Sequence, residues 1–377
     1  MRIAGAIVVA AIWLVLVGVL WFGPRRDISD AERRKLAQMP KLTSQSFMDR
    51  SFMEKFEEFT LDQFPGRDSF RQIKSVFHYY VMRQMDNNNI YVQDGYAAKM
   101  EYPLNMASAD MATTQLKKIY NMYLKKTDAN IYVAIVPDKG YYLGEQNGYL
   151  ALDYKGLYEG VYAQMPWATP IDLTDCLSAE DYYRTDTHWR QEKLFPVAQK
   201  ISQAMGVEAP KTEDFTPVKV ERPFYGVYYG QAALPMDADD MYTLKNDILD
   251  SCTTSVPLAW DNEKNEMVYK KLYDGVYDMS RMEGKDLYEI YLSGMQSVLR
   301  IDNPKATTDK ELIIFRDSFG SSLSPLLLQG YKSILIIDVR YISSSMLKPY
   351  LNHVTNQDVL FTYSTLVLNS TGGSLMP

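Results

Sequence analysis

The sequence predicts an α/β protein: a doubly wound, three-layer parallel sheet carried behind an N-terminal transmembrane helix. Three observations predict it. Continuous apolar runs rich in β-branched residues recur at Asn130 to Val136, Leu312 to Phe315 and Ile334 to Asp338, as expected of strands buried on both faces. Helical patterns fall between such runs, at about 110–126, 192–205, 322–329 and 344–352, which is the alternation of βαβ units. Residues 3–22 carry no charge.

That first stretch, rich in Val, Ile, Leu and Trp, matches a hydrocarbon core of about 30 Å at about 1.5 Å per helical residue. Bulky Leu20, Trp21 and Phe22 close it where a cleaved signal would place small residues, so residues 1–23 read as an uncleaved anchor. Arg25, Arg26, Arg33 and Arg34 follow it. A count of basic residues therefore does not favour export of the body, although long domains translocate regardless of such charges. Residues 24–44, with Pro24 and Pro40, read as a juxtamembrane linker, and the main domain as 45–377.

Within that domain, Phe47, Phe52, Phe56, Phe59, Leu61 and Phe64 recur at helical spacing, Pro65 to Arg67 break the chain, and Phe70, Ile73, Phe77 and Met82 resume the pattern. The reading is helical packing. A short strand is expected at Ile90 to Val92, and closing strands at Leu360 to Thr362 and Leu366 to Leu368. Residues 210–300 lack the alternation and read as an insertion or lid.

Composition excludes some functions. At 377 residues and 46% apolar, the chain can bury a large core. A net charge of −7 argues against nucleic acid, whose affinity comes from Lys and Arg displacing counterions. The 29 Tyr against 5 Trp suit a glycan-facing surface or a Tyr-rich core equally. Cys176 and Cys252 are compatible with one disulfide or two free thiols. With no CxxC pair, no HExxH and no Cys/His cluster, neither a metal nor a cofactor is expected.

The three histidines limit the choice of a neutral-pH base. His78 and His353 read as packing or surface residues. His188 follows Asp186 at a spacing of two, which on extended backbone turns both side chains to one side. Asp186 could then hold the imidazole in one tautomer, or cap the next helix and leave His188 exposed. Ser318 lies in Arg316, Asp317, Ser318, Phe319, Gly320, a turn between a buried strand and a helix. That places it at the carboxyl edge of the sheet, where open α/β proteins bind ligands and free amides face a developing oxyanion. The competing reading makes Ser318 or Asp317 a helix cap.

Asp186, Thr187, His188, Trp189 together with Arg316 to Gly320 resemble the DHHW family of bacterial envelope proteins, itself similar to the SGNH-like proteins of alginate O-acetylation. The anchor, the Phe64 to Arg67 break and the Ile337 to Tyr341 stretch share the likeness. The resemblance implies an SGNH hydrolase-like three-layer fold with permuted motif order, in which Ser318 is the nucleophile, His188 the base and Asp186 the orienting acid. It also implies a place for Arg340, in binding substrate or in a salt bridge to Asp338. Gly294, Gln296 and Asp317 are further candidates for substrate binding or the oxyanion site, although Met295 stands where a polar residue is expected.

The implied function is acetyl transfer to, or removal from, an envelope or secreted polysaccharide through an acetyl-serine. The body would lie outside the cytoplasm, with a membrane-bound O-acyltransferase as partner and acetyl source. The alternative is a non-catalytic, membrane-anchored glycan-binding protein. A third, a metal hydrolase using Asp186 and His188, has too few histidines.

Overall fold

The computed structural model describes residues 2–370 and Leu375. They form two compact units: one runs to Tyr91 and takes in Val227–Asp237, the other holds Val92–Gly226 and the chain from Ala238 onward.

The larger unit is built on one sheet of eight strands: β1 (Asn130–Val136), β2 (Thr169–Pro170), β3 (Thr253–Asp261), β4 (Glu266–Asp274), β5 (Val298–Asp302), β6 (Glu311–Arg316), β7 (Ser333–Ile337) and β8 (Asp358–Ser364). Their order is β4-β3-β5-β7-β6-β8-β1-β2. From β7 to β2 every pairing is parallel, and β5, β3 and β4 extend that edge antiparallel. Strand β6 is central. Its Ile314 stands opposite Ile336 of β7 and Leu360 of β8.

Side-chain alternation along these strands divides the core in two. Ala134, Val136, Leu312, Ile314, Ile334, Ile336 and Leu360 meet one layer, which includes helix Phe195–Met205. Val133, Ile135, Ile313, Phe315, Leu335, Ile337, Val359 and Phe361 meet the other, which includes helices Met106–Ile119 and Tyr154–Gln164. This is the three-layer sandwich that the sequence predicts. Both cysteines are free.

Two expectations need correction. Residues Thr365–Leu368 form one helical turn rather than a strand, because Ser364 caps it by accepting from the Val367 amide. The stretch 210–300 is not uniformly lid-like: β3 and β4 lie within it and widen the sheet. On the outermost strand, exposed Lys270 and Lys271 discourage further pairing.

The smaller unit begins with helix α1 (Arg2–Phe22), long and apolar enough over Ala4–Phe22 to cross a membrane. Helices α2 (Ser51–Asp62) and α3 (Arg67–Val76) follow, the latter running into a wider turn to Val81. Between α1 and α2, Ile28–Ser29 pair with Arg34–Lys35. Asp62 then gathers the Arg34 guanidinium (2.8 and 2.6 Å) and the Ala37 amide (2.8 Å). The phenylalanine repeat does not pack as expected. Phe59 is buried, but Phe47, in the short helix Ser44–Met48 ahead of α2, is exposed, and so are Phe70, Ile73, Phe77 and Met82, because α3 turns its polar side inward.

Candidate active site

Strand β6 delivers Ser318 to the carboxyl end of the sheet. Asp317 makes the turn: one carboxylate oxygen accepts from the Phe319 amide (3.0 Å) and the other from the Ser364 amide at the end of β8 (2.7 Å). Ser318 then opens the short helix Phe319–Leu323. Gly320 is required by close approach, since a Cβ there would lie 2.6 Å from Cβ of Arg316.

The acid and the base sit on a pinned loop. Tyr182 bridges Trp189, and the Tyr183 amide donates to the His188 carbonyl (3.0 Å). Between these ties the chain bulges outward, and Asp239 fastens the bulge by accepting from the amides of Arg184 and Thr185 (both 2.8 Å) and from the Thr185 hydroxyl (2.5 Å). Asp186 and His188 do not share a side by extended geometry, as the spacing suggested. Instead the Asp186 carboxylate accepts from the His188 amide two residues on (3.0 Å), an Asx turn that folds the imidazole back over it.

The three side chains form a continuous hydrogen-bonded line. His188 Nδ1 is 2.5 Å from Asp186 Oδ1, and His188 Nε2 is 2.8 Å from Ser318 Oγ, across 130 positions of sequence. An ionised carboxylate can only accept, so Nδ1 carries the hydrogen and Nε2 is left to accept the serine proton. Asp186 is fully buried and His188 is 7% exposed, which rules out the exposed-histidine reading.

Trp189 locks the two segments together. Its indole N–H donates to the Phe319 carbonyl (3.1 Å) and the Ser322 hydroxyl (2.9 Å), and the Gln191 side chain donates to the Ser322 carbonyl (2.9 Å). The residue after the histidine therefore holds the helix after the serine.

The remaining sequence candidates are placed differently. Asp317 spends both oxygens on the turn. Arg340 forks onto Asp338 (2.9 and 2.7 Å), the salt-bridge alternative, and Arg316 shares that carboxylate at 3.3 Å. Gly294 follows Leu292 and Ser293 in left-handed conformation (φ 57°, 61° and 70°). The Gln296 amide donates to the Gly294 carbonyl (3.1 Å), within the same loop.

Four residues at the site carried no sequence signal. Tyr288 stacks on the His188 ring and hydrogen-bonds Ser322 (2.8 Å); burial pushes its phenol far above its ordinary range. Asp239 fastens the loop. Gly226 backs the acid so closely that a Cβ would lie 2.2 Å from Asp186 Cβ. Lys139 is buried under the loop, donating to the Tyr183 carbonyl (2.7 Å). Burial pulls its ammonium down to about 7 against the pull of Asp186, Asp239 and Asp138.

Comparison with known proteins agrees with the resemblance. The family model described as DHHW protein matches residues 175–337, which take in both motifs. A DHHW family protein from Eubacterium siraeum superposes with a TM-score of 0.62 at 18% identity, over 78% of this chain and 97% of its own. Bacillus cereus PatB1, solved with a sulfonyl adduct, gives 0.58 at 16% identity, over 76% and 98%. The O-acetyltransferase domain of Pseudomonas putida AlgJ gives 0.43 at 13%, over 75% and 93%. No curated protein matches the sequence.

Proposed function

We propose that this chain, DHHW-like across residues 175–337, is a membrane-anchored acetyl-transfer enzyme of an extracytoplasmic polysaccharide. One observation carries the reading: a serine, a histidine and a carboxylate in hydrogen-bonded line, 2.8 and 2.5 Å apart, at the carboxyl edge of a parallel sheet.

His188 Nε2 takes the Ser318 proton as Oγ bonds to the acetyl carbon, whose carbonyl electrons move onto oxygen. The Ser318 amide is one donor to that oxygen. Collapse expels the donor's heteroatom, which leaves with the proton from His188, and acetyl-Ser318 remains. A sugar hydroxyl then gives its proton to His188 and attacks the acetyl carbon. Serine departs and recovers the proton, and the sugar keeps the acetyl group. Water in place of the sugar releases acetate, so esterase and transferase share every step but the last. Asp186 stabilises the imidazolium in both halves. In this reading α1 holds the body beside a membrane-bound O-acyltransferase that supplies the acetyl group.

PatB1 accepts a sulfonyl adduct, and the corresponding test here is labelling by a sulfonyl fluoride. Ser318→Ala should abolish both labelling and acetyl-ester turnover. Labelling that persists in the variant rejects the assignment. Polysaccharide binding without acetyl chemistry from any donor would select the glycan-binding alternative.

A further inference from the structure

Helix α3 is built inside out. Arg67 and Ser75 are 8% and 1% exposed, Arg71 donates to the carbonyls of Gly230 (3.0 Å) and Gln231 (3.1 Å), and the Asn87 side chain donates to Ser75 (2.7 Å). Its apolar residues and those of the wider turn that continues it face outward: Phe70 is 51% exposed, Ile73 66%, Phe77 50% and Val81 62%. Spaced by three, four and four residues, they share one face. A contiguous apolar stripe of this kind marks a surface that meets another non-aqueous surface.

The same compact unit says which surface. It contains α1, whose closing Trp21 ring lies 6.2 Å from the ring of Phe56 on α2, while the Arg25 guanidinium sits 5.2 Å over Phe59. Helix α2 therefore packs where the apolar helix ends, and α3 follows α2 after only the turn 63–66. Exposed Tyr80, Lys74 and Arg83 border the stripe, a mixture suited to lipid headgroups.

We infer that Phe70, Ile73, Phe77 and Val81 lie in the boundary between headgroups and acyl chains of the bilayer that α1 spans. The inference rests on the anchoring reading above. Interfacial helices of this type sit about 5–10 Å into the boundary, so α3 would be a second, shallow attachment that limits how far the unit can tilt.

The test uses the full chain in phosphatidylcholine/phosphatidylglycerol vesicles, with Cys176→Ser and the buried Cys252 retained. A fluorescent NBD group is attached at Ile73→Cys or, in a separate protein, at Ile12→Cys. Sulfonyl labelling of Ser318 verifies the fold of each. At position 73 the emission should shift to the blue, with stronger quenching by nitroxides near the headgroups than by deep ones; at position 12 the order should reverse. Deep quenching at 12 with only aqueous iodide reaching 73 overturns the inference and leaves the anchor standing. Shielding of 73 from both iodide and nitroxide overturns it in favour of a second copy of the chain. No lipid quenching at either position defeats the anchoring reading itself.

Discussion

The imidazole of His188 lies flat on the ring of Tyr288, with centroids 3.8 Å apart and planes 8° from parallel. Asp186 and Ser318 hold the two nitrogens of the imidazole, but bonds that lie in the plane of the ring leave it free to rock about the line between them. Tyr288 removes that freedom. Aromatic pairs contribute about 0.5–1.5 kcal/mol beyond buried area, so Tyr288→Leu should lower kcat/KM for an acetyl ester by roughly 2- to 13-fold. Tyr288→Phe, which keeps the stack, should lose much less.

Trp189→Phe deletes the indole donor that ties the histidine loop to the serine helix. It takes one bond from each of the Phe319 carbonyl and the Ser322 hydroxyl, which keep their long bond to each other (3.4 Å) and the Ser322 bond to Tyr288 (2.8 Å). A loss of about 1–3 kcal/mol is expected, read as a lower urea midpoint at unchanged slope. Sulfonyl labelling should slow as well, since both halves of the site lose their tie.

Gly226→Ala is expected to damage the site more than the fold. The new methyl would fall 2.2 Å from Asp186 Cβ, and the acid must move to admit it. A displacement near 1 Å costs on the order of 100-fold in rate. The labelling rate should fall on that scale while the far-ultraviolet spectrum is kept.

Lys139 couples stability to pH. Its folded pKa, about 7, lies below its ordinary 10.5 because burial disfavours the charge. Between those values the unfolded chain holds the proton and the folded chain does not, so stability rises with pH by up to about 1.4 kcal/mol per unit. Lys139→Met removes that slope. Its advantage over the unchanged protein in urea unfolding should be largest below pH 7 and shrink toward pH 10; a constant difference would mean that the folded protein keeps the ammonium.

The parallel strands were legible because burial on both faces leaves little choice of residue: Ile131 to Val136, Leu312 to Phe315 and Ile334 to Ile337 are apolar for that reason. Residue types and the strand-to-helix turn left a helix cap open for Ser318 and Asp186 alike; the pairing of Ser318 with His188 was implied by the family resemblance, and its cause was not legible. The spacing of Asp186 and His188 suggested extended backbone, whereas the working device is an Asx turn, and the two give the same sequence offset. Tyr288, Asp239, Gly226 and Lys139 act through contacts made only on folding, so their neighbours in sequence give no sign of them. The phenylalanine repeat misled for a different reason. Periodicity reports that a helix has two faces, not which one looks at the protein.

The bond between Trp189 and the Phe319 carbonyl has a consequence in time. A chain emerging from synthesis presents its histidine long before residue 318 arrives, and contacts of such sequence separation close late. Until they do, no hydroxyl is poised for attack. The site is thus completed last, and the half that is made first stays idle until the body has closed around it.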